Sequence, residues 1–250
     1  MSKNLKVGDQ VYVPCLKVKA LENRPTALYR TKIIEVEERS VRVNLPGQQA
    51  SDLIGSSLVH KDTGVLILTI GDLMTEDSLL QPLTKSVLQY CRLLFDDDTF
   101  VLSLKCRSLA ELEQVWSKYS QAYKYVVIIG HGSPQGIKFC VDDWVDSDKL
   151  SKVFEKVELN PKHFISLCCQ TGYKSFGERI SESKYCEDFI GPFHSVHGAI
   201  ASQFTQTYLA NHILQGHTNK VSFNKATATV PGINSFRLWV DGKLKGGRKK

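Results

Sequence analysis

From residue 64 onward, short apolar runs alternate with stretches whose apolar residues recur at helical spacing, and few architectures satisfy that alternation. GVLILTIGD (64–72), TFVLSLKC (99–106), YKYVVIIGH (123–131) and HFISLCC (163–169) read as four buried strands. Between the first two, Leu80, Leu83, Val87, Cys91 and Leu94 share one helical face, and the acidic FDDD stretch ends that segment. Ser108 and Glu111 form a capping box opening a second helix with Leu109, Leu112, Val115 and Trp116. A short hairpin, GIKFCVDDW, precedes a third helix that Ser147 is expected to cap, with Leu150, Val153, Phe154 and Val157 inward. Strands separated by amphipathic helices specify an α/β class with a mainly parallel sheet, because right-handed crossovers lay each helix back on it. All the strands' carboxyl ends then share one edge, where ligands and reacting groups gather in open sheets. His131 and Cys169 both fall at that edge.

Residues 6–60 follow another grammar. The alternating stretches DQVYVP, TKIIEVEE and SVRVNLP are separated by turn residues and by LENRPTAL, which predicts a small all-β barrel. The chain therefore divides into a barrel module over 1–60 and an α/β domain over 61–250. Lys17, Lys19, Arg24, Arg30 and Lys32 give the first module a candidate anion-binding face, for which a solvated charged surface is the plain alternative.

At 250 residues the chain has length for this pairing, and its longest apolar runs fall far short of the roughly 20 residues of a membrane span. The start, MSKNLKVGDQ, lacks the apolar stretch of a secretory signal, and seven cysteines without framework spacing suit a reduced cytoplasm. The net charge of +6 comes partly from the tail KLKGGRKK and does not demand a nucleic-acid partner.

The chemistry concentrates in two strand ends. His131 stands in IIGHGSPQG and Cys169 in ISLCCQTG, 38 positions later, with one crossover helix between them. A thiol is a weak nucleophile near neutrality until a base takes its proton, and a facing imidazole can do so and later protonate a leaving amine. The backbone amides of Gly132 and Cys169 would hold an oxyanion, and glycine keeps that approach open. Strand alternation turns Cys168 away from Cys169, which leaves Cys168 a small buried role. Zinc is the competing chemistry for His131, His163, Cys140, Cys168 and Cys169, but no C-x-x-C pair or standard spacing supports it. His194 and His197 lie in a loop, as cleft lining or as exposed surface. The glycines of IGHGSPQG lack the lysine of a phosphate loop and the dinucleotide pattern.

The paired motifs YVVIIGHGSPQG and HFISLCCQTG resemble those of the caspase-like cysteine peptidases of clan CD, an apolar strand ending His-Gly followed by one ending in the nucleophilic cysteine. CCQTG is similar to the ACETG of CHAT-domain proteins and the CCHSG of metacaspases, and both place the nucleophile at Cys169. GAIASQFTQTYLANHILQGHTNKVSFNKA is similar to the CHAT helix pair, with Gly216 closing the first helix. The N-terminal VGDQVYV, with its following strands, resembles Tudor and KOW barrels. The resemblance implies a caspase-like sheet, a His131–Cys169 dyad with no cofactor, and a protein or peptide substrate in a setting such as regulated cell death or antiviral defence. It also implies a substrate-binding role for Asp72, against which a helix N-cap or a solvated aspartate is weighed. Departures are Gln170 in place of an acidic residue and Leu167 where metacaspases carry an aspartate. Clan members include inactive forms, so a scaffold with a partner-binding or nucleic-acid-binding barrel is the alternative. No residue that would orient His131 stands out in the sequence.

Overall fold

The computed structural model describes residues 5–47, 49–61, 63–72, 74–95, 98–157, 160–231 and 235–247. The first strands are β1 (Gln10–Pro14), β2 (Leu28–Val36), β3 (Ser40–Leu45) and the short β4 (Gln49–Ala50) and β5 (Ile54–Gly55). They pair antiparallel into one curled sheet, β1 on β2, β2 on β3, with β4 and β5 both on β3. Val11, Val13, Ile33, Val41 and Val43 form its core; in β2 Ile33 alternates with exposed residues, whereas β1 is buried on both faces from Val11 to Pro14.

The remaining elements run β6 (Val65–Ile70), α1 (Gln81–Leu94), β7 (Val101–Cys106), α2 (Leu109–Tyr119), β8 (Tyr125–Ser133), β9 (Gly136–Phe139), β10 (Asp143–Val145), α3 (Ser147–Glu155) and β11 (Lys162–Ser166). They continue with α4 (Lys174–Ser181), β12 (Cys186–Pro192), α5 (Gly198–Leu209), α6 (Asn219–Thr229), β13 (Phe236–Val240) and β14 (Lys243–Gly246). The main sheet has the order β7-β6-β8-β11-β12-β13-β14. Its first five strands are parallel, β13 is antiparallel to β12, and β14 is antiparallel to β13. The molecule is thus mixed α/β, with a mostly parallel sheet between helical layers and a small antiparallel half-barrel at its N-terminal end.

Period-two alternation splits the strands between two cores. Val65, Ile67, Val127, Ile129, Ile165 and Ile190 face α1, α5 and α6, whose Val87, Phe204 and Phe223 close that side. Leu66, Leu68, Val126, Ile128, Phe164 and Phe189 face α2, α3 and α4, where the Trp116 and Phe154 rings meet tilted, 4.6 Å apart. Gly216, at φ +63°, turns the chain after α5 and its π-helical continuation, Ala210–Leu214.

The half-barrel is packed against this body. Tyr12 and Leu28 belong to the first core, and Tyr12 meets Phe100 edge-on at 4.8 Å and Phe95 at 5.8 Å. His60 Nε2 lies 2.7 Å from the carbonyl of Ile213. Arg30 sits over the Phe100 ring and Arg24 over Tyr29, while Lys17, Lys19 and Lys32 are exposed.

Local details depart from the sequence reading in instructive ways. The cap of α3 is Asp146, whose Oδ1 accepts from Lys149 N at 2.8 Å; Ser147 is buried and donates to Ser175 O. A carboxylate at the helix start also answers the helix dipole, which a hydroxyl does not. Ser108 does cap α2, but Glu111 reaches the amide of Arg107 at 2.6 Å, one residue earlier than a capping box requires. Helix α1 ends at Leu94 with Phe95 extended; Asp96 and Asp97, expected to stop it, lie outside the described residues. Among the described residues no helix is long and apolar enough to cross a membrane.

Candidate active site at the carboxyl edge of the sheet

In the parallel sheet the chain moves outward to β7 after β6 and then returns past β6 to β8, so the order reverses between β6 and β8. Their connections leave in opposite directions there, the position at which open α/β sheets form a binding crevice beyond the carboxyl ends of the strands. The loop after β6 brings Asp72 and Thr75 to that crevice, β8 brings His131 and Gly132, and the turn after β11 brings Cys169.

His131 is held by β8 continuing past the body of the sheet. Having paired with β6 through Gly130, the strand pairs antiparallel with β9, His131 opposite Lys138 and Gly132 opposite Ile137. Two residues beyond Ile129, His131 points toward the α1 and α5 side. Lys138 is in turn opposite Trp144 of β10, so His131, Lys138 and Trp144 form one row on one face of the hairpin. Trp144 is 42% exposed.

Cys169 follows β11 in a turn fixed from several directions. Thr171 Oγ1, fully buried, lies 2.8 Å from both Ser166 Oγ and Cys168 O. Gly172 N donates to Pro192 O at 2.7 Å, and Trp239 Nε1 donates to Gly172 O at 3.0 Å. Gln170 adopts φ +63°, a left-handed backbone uncommon outside glycine. Such a conformation persists only where the surroundings over-determine the turn, as these bonds do.

The two cysteines have different surroundings. Cys168 is completely buried among Ile128, Phe164 and Phe176 of the second core, and burial pushes its thiol up to about 12. Cys169 is half-buried, and its Sγ lies 4.0 Å from the carbonyl of Val196, which packs on the first core. The sulfur of Cys169 therefore opens toward the same side of the sheet as His131.

Gly132 makes the contact between the two segments. A Cβ placed on it would sit 2.3 Å from Cys169 O and 2.8 Å from Cys168 Cβ, so only glycine lets the β8 backbone lie against the cysteine turn. Gly130 has the same role toward β6, where a Cβ would meet Ile70 O at 2.3 Å.

The loop after β6 supplies what the sequence reading lacked. Thr75 Oγ1 is 2.6 Å from His131 Nε2 and 3.1 Å from Asp72 Oδ1. The same carboxylate oxygen accepts from the amides of Met74 at 2.9 Å and Thr75 at 3.0 Å. These bonds, the Thr75 amide foremost, hold the Asp72 carboxyl below its ordinary range, and the nearby His131 adds to the effect. Asp72 thus organises its own loop through one oxygen. The turn was legible in GDLMTEDS, since an aspartate readily accepts the amides two and three residues on in an Asx-type turn. The loop is tied to β7 as well, since Glu76 pairs with Lys105 and lies 3.3 Å from Arg107 Nη2.

The remaining candidates lie elsewhere or act structurally. His163, at the start of β11 on the opposite edge of the sheet, is buried with Nδ1 2.6 Å from Asp188 Oδ2. Cys140 is exposed in the turn of the β9–β10 hairpin. His197 caps α5, its Nδ1 accepting from Ala199 N at 3.3 Å, and His194 packs on Phe193. Among the described residues no three His, Cys, Asp or Glu side chains form a group that could hold a metal ion. No family model and no curated protein matches the chain.

Proposed function

We propose that the protein is a cysteine endopeptidase of caspase-like type that hydrolyses peptide bonds with Cys169 as nucleophile and His131 as general base and acid. The observation that carries this reading is the seating of Gly132 against the Cys169 carbonyl, which brings a His-Gly strand end and a half-buried cysteine together on one side of the sheet. Thiol, imidazole and two backbone amides on rigid strand ends are the parts an acyl-transfer site requires.

In this mechanism His131 takes the Cys169 proton as sulfur attacks the peptide carbonyl. The amides of Gly132 and Cys169 steady the resulting oxyanion, and the imidazolium then protonates the departing amine. Water, deprotonated by the same imidazole, releases the acyl group. No metal or organic cofactor enters any step. Lys138 and Trp144, in line with His131, offer a bound peptide an ammonium and an indole face. We place this reaction in the cytoplasm, in a setting such as regulated cell death or antiviral defence, where the half-barrel would hold a regulator or substrate against the body.

Incubation with a diverse peptide mixture, with products read by mass spectrometry, tests the reading. Cleavage at a defined residue type is expected, abolished by both Cys169→Ala and His131→Ala in proteins that remain folded. Undiminished cleavage in either variant refutes the assignment. Absence of cleavage by the unaltered chain favours a scaffold that keeps the sheet without the reaction.

A further inference from the structure

We propose that Thr75 and Asp72 are the positioning residues of His131, a hydroxyl and carboxylate relay that fixes which imidazole nitrogen carries the proton. The inference deepens the peptidase reading and, for its catalytic consequence, rests on it. A threonine hydroxyl has one proton and two acceptor sites, whereas an ionised carboxylate only accepts. Asp72 Oδ1 lies within reach of the Thr75 hydroxyl at 3.1 Å and already receives two amides, so it faces donors only. The hydroxyl proton therefore points to Asp72, and the Thr75 oxygen accepts from His131 Nε2 across 2.6 Å. With Nε2 protonated, Nδ1 holds the lone pair.

The relay makes the proton accounting of the reaction definite. Nδ1 receives the Cys169 proton as the sulfur–carbon bond forms, and gives it to the amine nitrogen as the carbon–nitrogen bond breaks. The proton on Nε2 stays in place throughout, bonded to Thr75. While both nitrogens are protonated, the ring carries a positive charge, and the Asp72 carboxylate one hydroxyl away favours it. The relay is also anchored. The carbonyl of Thr75 accepts from Leu79 N at 3.0 Å at the entrance to α1, and the adjacent Glu76 is bound to the end of β7. An orienting group attached to a helix holds the ring more narrowly than a free loop would.

Two readouts on the full chain test the proposal. Nitrogen-15 NMR of the histidine ring is expected to show the neutral form of His131 protonated at Nε2 in the unaltered protein. In Thr75→Val, which keeps the shape of the side chain and removes the oxygen, that preference should fall to the weaker Nε2 preference of a free imidazole. In peptide cleavage Thr75→Val is expected to lower kcat by about 10- to 100-fold with KM nearly unchanged, and Thr75→Ser to restore it to within about threefold. A neutral His131 protonated at Nδ1, or a Thr75→Val variant with unaltered tautomer and kcat, overturns the relay. The NMR measurement needs no turnover. A chain that shows the Nε2 tautomer and its weakening in Thr75→Val but cleaves nothing keeps the relay and rejects the peptidase.

Discussion

Neighbouring residues of one type are separated here by where their side chains are buried. Cys168 and Cys169 differ by one position, yet one lies in a dry core with its thiol raised to about 12 and the other opens to the crevice. The sequence made that distinction legible through strand parity. His163 was not legible in the same way, because its partner Asp188 comes from β12, a strand hidden in the mixed composition of CEDFIGP. Asp188 is fully buried, bonded through Oδ2 to His163 and to Asn219 Nδ2. Removing it leaves a buried imidazole and a half-buried amide without this acceptor, the circumstance in which a polar pair is costly to break. Asp188→Ala is expected to lower the unfolding free energy by about 3 kcal/mol in urea titration. A loss under about 1 kcal/mol would mean that water or a neighbour replaces the carboxylate.

Among the elements, the four strands and the helices named from apolar spacing all form; burial on both faces leaves β6, β11 and the first part of β8 a continuous apolar signature, whereas β7, expected as a buried strand, lies at the sheet edge half-buried over Leu102–Leu104 and exposed at Lys105. The elements that went unread are α4, β12, β13 and β14, where charged and aromatic residues interrupt the pattern and Trp239 and Arg237 complete the packing. Thr75 escaped notice for another reason. Its partner His131 is 56 positions away, and only the pairing of β6 with β8 makes them neighbours. Gly132 was expected to keep the approach of a substrate carbonyl open; the structure gives it another reason, since a Cβ there would meet the backbone of the cysteine turn. Gly132→Ala would drive a methyl group into backbone atoms at 2.3 Å that cannot rotate away. It is expected to destabilise the fold by about 1–3 kcal/mol and to suppress cleavage even below its melting transition. Thermal unfolding and peptide cleavage on the same preparation check both parts; full activity with unchanged stability would show that the cysteine turn can yield.

For the whole molecule, the half-barrel has a core of its own but lends Tyr12 and Leu28 to the first core of the α/β body. Tyr12 and Leu28 lie within the cluster that supports α1, and α1 carries the loop of Asp72 and Thr75. A partner bound to the half-barrel would thus act on a surface continuous with the element that anchors the relay. The sequence separated the two parts by their grammar but could not show this seam, since Tyr12 reads as an ordinary alternating strand residue. The account of the whole molecule rests on one sulfur being made reactive by one imidazole. Treatment of the native protein with a peptidyl electrophile, followed by peptide mapping, tests this most directly, with exposed Cys140 as an internal control. The account predicts a single adduct on Cys169 that His131→Ala abolishes; an adduct favouring Cys140, or labelling of Cys169 indifferent to His131, would contradict it.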